Sequence, residues 1–487
     1  VARVELISSA YAGKSVIASG QECVNLYAEI NAQMDPQAPA KVTYYPTPGT
    51  DLYSDPGFLR NARGAYRTSI GTAYYVVGPN VYFLASDTTL TKIAVIADRQ
   101  SQIKFADNGL VCVLVDGLNG YVIDLTNNNV GVIIDPNFYG ADYVVLLDTF
   151  FVFNRPETNQ FFISIGNASY TLLTTTGAFD PLDIAAKAGF NDPIVGLASV
   201  HRELWLIGSL TTEVWIGTGA ADFYFQQQQG AYINHGSAAA FSIATIDILV
   251  FYIMQDQQGN GIVIQGQGYD VSEISTPRIV SEFKSYETLS DAIGFCFQIE
   301  DHPFYCLVFP IANKGWMYDL KTKQWNEWNW SDSNGILNRP RANCCMFAYG
   351  VILVGDWESG QLLKLNASTF TDYSIATPTG QIIRTRTFPH MIDNNQRITY
   401  NSFDADMEVG TVPDDSDPQV SLSWSDDKGV SYGNPVMQSM GKLGDYLTTI
   451  SWNRLGQARD RVFKLSWSTA NKTALNGGFV DRTAART

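Results

Sequence analysis

Bulky apolar and polar residues alternate along this chain in short runs that come in pairs. In LWLIGSLTTEVWIG, residues 204–217, two apolar runs flank a Gly-Ser-Leu-Thr turn, with Glu203 and Glu213 marking strand ends. Period-two alternation bounded by turn residues predicts a β-hairpin. Leu204, Leu206, Val214 and Ile216 stand on one parity and Trp205 and Trp215 on the other, so both faces are apolar and both need covering. Comparable pairs begin at Ala73, Leu110, Thr149, Ile248, Pro303 and Val351, which makes seven hairpins spaced 37 to 55 residues apart. A hairpin alone cannot bury two faces, whereas blades stacked around an axis can, and the spacing suits propeller blades. The chain is therefore expected to be all-β, a degenerate β-propeller of six or seven blades over residues 64–370. A long β-sandwich with irregular meanders is the competing architecture.

The flanks follow other patterns. Residues 1–63 contain one plausible strand, CVNLYAEIN at 23–31, and a Pro-rich stretch at 34–50 without periodicity, together read as an N-terminal arm or closing strand. Residues 371–395 read as a connector. From residue 396 to 487 longer alternating strands appear at 421–425, 448–455 and 461–468, as in a C-terminal β-sandwich. Helical signal is confined to DIAAKAG at 183–189, where Asp180 is placed to cap and Pro181 to start a short helix between blades.

Charge changes the picture more than length does. Of 487 residues only 16% are charged while 13% are aromatic, a composition that suits extensive contact between subunits. The net charge is −16, and residues 1–395 carry −15 of it. Wrapping nucleic acid needs clustered Lys and Arg to neutralise phosphates, so this chain repels DNA instead. The six cysteines show no metal-knuckle spacing and read as small buried hydrophobes of a reducing compartment. No secretion signal opens the sequence, and the most apolar run, residues 248–254, is too short to span a bilayer.

Candidate chemistry is sparse. His201, His235, His302 and His390 lie apart from any G-x-S-x-G elbow, and no two have zinc-ligand spacing. No residue is assigned to catalysis, a cofactor or a metal. Ser425 to Tyr432, SDDKGVSY, resembles the Asp-box turn of sialidases and other propellers, in which Asp427 would accept backbone N–H groups and Gly429 take a positive φ. The loop 412–418 offers Asp414, Asp415 and Asp417 to a hard cation, but it lacks the glycine and distal glutamate of an EF-hand and reads first as a solvated acidic loop. Arg459 and Arg461 share a face at strand spacing, either as a docking patch for an acidic partner or as a solvated face.

Taken in order, GQECVNLYAEIN, PTPGT, RGAYRTSIGTAYYVVGPNVYFL, NDPIVGLASVHRELWLIGSLTTEVWIGTGAADFYF, GNGIVIQGQGYDVSEIST, HPFYCLVFP and GWMYDLKTKQWNEW resemble the packaged-DNA stabilisation proteins of short-tailed phages, the tail hub or nozzle. The most specific stretch contains Arg202, Glu203, Trp205, Gly208, Glu213 and Trp215 as structural motif residues. The resemblance implies a virion tail protein assembled in the host cytoplasm as a ring of about six copies. Such a ring continues the DNA channel below the head-to-tail adaptor and retains DNA until ejection, with no catalytic residues to carry over. Its implied partners are further copies of itself, the adaptor, a needle or plug, and fibres or spikes, with DNA passing through unbound. On this reading Tyr224 and Phe225 are candidate subunit contacts, and the hairpin tips at 155–158 and 256–259 are candidates for a constriction. A propeller-based carbohydrate-binding adhesin or glycosidase acting on host polysaccharide is the alternative.

Overall fold

The computed structural model describes residues 2–6, 13–15, 17, 19–31, 41–220, 222–256, 258–411 and 416–484. Each of the seven hairpins forms the middle two of four consecutive antiparallel strands, in six cases as a separate four-stranded sheet. The motif hairpin, Glu203–Gly208 and Thr212–Gly217, lies between an inner strand Ile194–Val200 and an outer strand Phe225–Ile233. Both of its faces are covered, since Leu204, Trp205, Leu206, Val214 and Trp215 are all buried. Cross-strand pairing sets Trp205 against Val214 and Leu204 against Trp215, so one large and one small side chain meet on each face.

Inner strands of successive sheets pack side by side around a central axis: Ala62–Arg67, Lys104–Asp107, Val144–Leu147, Ile194–Val200, Ala244–Ile246, Ile293–Ile299 and Ala342–Ala348. Six of these blades are separate four-stranded sheets. The sector starting at Ile293 instead runs on through its outer strand Gln324–Glu327 into a ten-stranded sheet shared with the C-terminal domain. Ring closure uses a distant strand: Gly49–Ser54 supplies the outer edge of the last blade, with Gly49 opposite Asn366 and Thr50 opposite Leu365. Residues 1–63, expected as an N-terminal arm or closing strand, supply both this closing strand and part of the sandwich sheet. Ala2–Glu5, Leu26–Asn31 and Lys41–Pro46 belong to the sandwich sheet built on Leu475–Ala484 and Ile398–Met407. A continuous core including Tyr44, Phe403, Trp452 and Phe463 fills that sandwich.

The helix expected over 183–189 is absent. Ile184–Ala186 is the outer strand of its blade, with Ile184 opposite Phe162 and Ala186 opposite Gln160. Asp180 accepts the Leu182 N–H at 2.9 Å, an Asx turn feeding a strand. A helix does form at Pro277–Phe283, with proline in its first turn and the Thr276 hydroxyl accepting from the Ile279 N–H. All six cysteines are free thiols, four of them buried.

Candidate functional site

Three of the motif residues, Gly208, Glu213 and Trp215, meet at a buried polar knot that joins two blades. Lys187, just past the strand that replaced the expected helix, donates to Asp192 at 2.5 Å and to the carbonyl and hydroxyl of Thr211 at 2.8 Å each. The other Asp192 oxygen accepts the N–H groups of Leu210 and Thr211 at 2.7 and 3.1 Å. Burial acts to raise the Asp192 carboxyl, yet Lys187 and these donors hold it below its ordinary value. Gly208 leaves the space: a Cβ there would lie 2.2 Å from both Asp192 Oδ2 and Lys187 Nζ. Glu213 accepts from Gly189 N–H at 2.7 Å, Ala188 N–H at 3.1 Å and Trp215 Nε1 at 3.0 Å. Each of these carboxylates is occupied by structural donors. Glu203 stands at its strand end, where it accepts from Tyr269, and Arg202, 82% exposed, reaches back to Asp148 at 2.6 Å.

A second assembly joins propeller to sandwich. Cys23–Val24 lies between Gln324–Glu327, to which it runs parallel, and Arg384–Thr387, to which it runs antiparallel. The next residue, Asn25, is fully buried with a φ of 54°. Its side chain donates to the Ile383 carbonyl and accepts the Asn329 N–H, both at 2.8 Å, while its own N–H donates to the Glu327 carbonyl. Arg278 reinforces the junction, reaching Glu327 at 2.8 Å and the Gln21 carbonyl at 3.3 Å. Sequence reading passed over Asn25 by treating 23–31 as one strand; the available signal was an asparagine, a residue that tolerates left-handed backbone, inside an otherwise apolar run.

The inner strands of four blades and Phe241 leave a cavity of about 190 Å³ lined by Tyr66, Gln102, Lys104, Phe105, Phe295 and Asn343, among others. Glu29 and Glu300 meet Tyr27 and Tyr45 in another cavity of about 150 Å³ near the domain junction. Both volumes fall below the roughly 300–1,000 Å³ of ordinary small-molecule sites.

Two expected contact pairs come apart. Phe225 is 3% exposed and packs in the blade core, so it is no surface contact. Tyr224, on the opposite parity, is partly exposed and donates to Asp148 at 2.9 Å against the Phe150 ring. Phe225→Asp is therefore expected to cost roughly 3–5 kcal/mol or more through a lost core ring and a buried charge. Gln229→Asp, on the exposed side of the same strand, should leave the urea midpoint nearly unchanged, and equal midpoints for the two variants would contradict this placement. Arg459 and Arg461 share no exposed face either. Arg459 is exposed, whereas Arg461 is 1% exposed, paired with Asp426 at 2.6 and 2.8 Å and stacked over Tyr400. Strand alternation was legible there, but the carboxylate that neutralises Arg461 lies across the sheet.

The turn at Ser425 has Asp-box geometry. Asp427 accepts from both hydroxyls, Ser425 and Ser431, and from the Ser431 N–H, which hold its carboxyl down to about 2. Gly429 has a φ of 87°. In the loop 412–418, Asp414 and Asp415 lie outside the described residues, and Asp417 accepts from Ser439. Among the described residues no group of three or more His, Cys, Asp or Glu has metal-binding geometry. The 155–158 tip is closed by Arg155 bonding Gln160, and in the 256–259 tip Asp256 accepts from Gln258 and Asn260, with residue 257 outside the described set. His302 and His390 each lie 2.9 Å from an aspartate, Asp319 and Asp460.

Residues 21–370 match the family model for the bacteriophage P22 Gp10 β-propeller, and residues 384–482 match that for the bacteriophage P22 Gp10 β-sandwich. The chain belongs to the bacteriophage P22 Gp10 family. As a family member it is a structural component of a phage tail, the packaged-DNA stabilisation group that its motif order resembles. No curated protein matches it. Solved structures similar in fold include streptogramin B lyase, with a TM-score of 0.39, 9% identity and coverage of 70% of this chain and 98% of that one. The N-terminal domain of Nup159 (TM-score 0.38, 9% identity, 70% and 98% covered) and the WD40 propeller domain of Doa1 (0.37, 9%, 65% and 96%) are also similar. None of these three likenesses bears on function. No helix among the described residues is long and apolar enough to cross a membrane.

Proposed function

We propose that this protein is the hub of a short phage tail: a ring of copies below the head-to-tail adaptor that continues the DNA channel and keeps packaged DNA in place until ejection. Membership of the P22 Gp10 family over both domains carries the reading. In such a ring DNA passes between copies, along a wall made of several chains. With a net charge of −16 per chain, that wall repels phosphates and lets the duplex slide. The sheet shared by propeller and sandwich makes each copy a stiff wall element.

Closing a ring of identical copies needs head-to-tail contacts between unlike surfaces. The outer blade strand Phe225–Ile233 offers one such surface through Gln226, Gln229 and Tyr232, and Arg459 offers another toward an acidic partner. Needle or plug and fibre or spike components are the further partners. Electron microscopy of particles assembled with and without this chain tests the reading. Particles lacking it should fill, leak DNA and show no ring below the adaptor; particles that stay full and tailed but fail on host polysaccharide would replace the hub with an adhesin or enzyme.

A further inference from the structure

A groove of about 380 Å³, within the roughly 300–1,000 Å³ of ordinary binding sites, opens between the last blade and residues 374–377. Two N–H donors of its lining residues have no acceptor among the described residues. Arg341 gives Nε and Nη2 to Asp356 and Nη2 also to Glu358, but its Nη1, in a side chain only 3% exposed, is unbonded. The Trp330 ring, 4.7 Å from the Arg341 guanidinium carbon, has a buried Nε1 that is equally unbonded. A buried donor without an acceptor is costly, and few persist in proteins. An acceptor carried by a bound partner removes that cost.

Charge decides what that acceptor is. Arg341 already faces Asp356 and Glu358, and Asp332 adds a third carboxylate, so the groove is negative on balance and disfavours an anion. A neutral carbonyl suits the two donors, a cation suits Asp332 and Glu358, and an apolar side chain suits the exposed rim of Leu59 and Ile375. The sandwich of the same chain displays all three. Between Val436–Ser439 and Ile450–Asn453 the chain exposes Leu443, Tyr446 and Leu447, the last at 96%. Three large apolar side chains on one turn mark a contact surface rather than scattered exposure. The turn has a defined shape: Gly441 and Gly444 take φ of 84° and 90°, Gly444 donates to the Gly410 carbonyl, and the Thr448 N–H and hydroxyl both donate to the Asp445 carbonyl. Among the described residues the carbonyls of Leu443, Tyr446 and Leu447 accept no hydrogen bond, and Lys442 stands beside them.

We propose that the turn at 442–447 of one copy docks in this groove on the next copy, its leucines against Leu59 and Ile375, its free carbonyls toward Trp330 and Arg341, and Lys442 toward Asp332 and Glu358. Two unlike surfaces on one chain, each complementary to the other in charge, hydrogen bonding and apolar character, are what a head-to-tail ring requires. The contact rests on the ring proposed above and names the surfaces that close it.

Cross-linking in assembled particles tests it. Oxidised particles whose chains carry Ile375→Cys and Leu447→Cys together should yield a ladder of covalently joined copies, and particles with either cysteine alone should yield none, which controls for the native thiols. Leu447→Asp alters a side chain that touches solvent in the single chain, so the isolated protein should keep the wild-type urea midpoint while its entry into particles falls at least tenfold. Particles that show the ring by microscopy yet give no ladder, or Leu447→Asp chains that enter particles as the wild type does, would overturn this contact and leave the hub standing. Particles that keep their DNA with no ring of this chain would overturn both.

Discussion

Replacing Asp192 with alanine is expected to lower the unfolding free energy by about 3–5 kcal/mol, the cost of leaving a buried partner charge uncompensated. Lys187 is buried, and its ammonium has Asp192 at 2.5 Å with neutral oxygens of Thr211 as its other acceptors. Removing Asp192 also orphans the N–H groups of Leu210 and Thr211 in the hairpin turn. Lys187→Met combined with Asp192→Leu should recover much of the loss, since an apolar pair removes both charges together. Urea melts of the single and double variants check this, and a single variant within 1 kcal/mol of the wild type would refute it. The pH dependence has a definite sign: Asp192 is held below its ordinary value, so its contribution is full above the unfolded carboxyl range and fades as pH falls through the folded value.

Hairpins were legible in the sequence because both faces of each are apolar, a pattern that neither an exposed strand nor an amphipathic helix produces. The strands around them were not. Phe225–Ile233 reads FQQQQGAYI, with too little alternation to mark a strand, because its outer side faces solvent and only Phe225, Ala231 and Ile233 are buried. Gly49–Ser54 carries no sign of a partner more than 300 residues away, since ring closure is a property of topology. The same blindness affected charge. Arg384, Arg386 and Arg461 look like surface residues on a strand, yet all three are buried among carbonyls, carboxylates and aromatic rings contributed by distant segments. At the candidate contact, parity alone separates Phe225 from Tyr224, and reading the two as one patch ignored it. Family-level order along the chain was legible for a different reason: the motif residues Gly208 and Glu213 serve a buried knot whose geometry admits few substitutes.

Asn25→Ala is expected to destabilise the protein by roughly 3–8 kcal/mol, a sum with separable parts. The side chain satisfies the Ile383 carbonyl and the Asn329 N–H, and each buried group left unpaired costs about 1–3 kcal/mol. Alanine must also hold a φ of 54°, which costs a non-glycine residue about 1–2 kcal/mol. Asn25→Gly keeps the backbone relaxed and loses only the hydrogen bonds, so it should fall between alanine and the wild type. If the two variants melt alike, the left-handed backbone is not what asparagine is there to supply. The position of Asn25 gives these variants a second readout. Its contacts reach Glu327 and Asn329 on the propeller side and Ile383 on the sandwich side. Weakening them loosens the joint between domains while leaving every propeller blade intact. Asn25→Gly chains should therefore fold and enter particles at low temperature. If DNA is held by a wall of stiff two-domain copies, those particles should lose their genome on mild heating well before wild-type particles do. Leakage at the wild-type temperature, with the isolated chain measurably destabilised, would mean that retention does not depend on the angle this joint fixes.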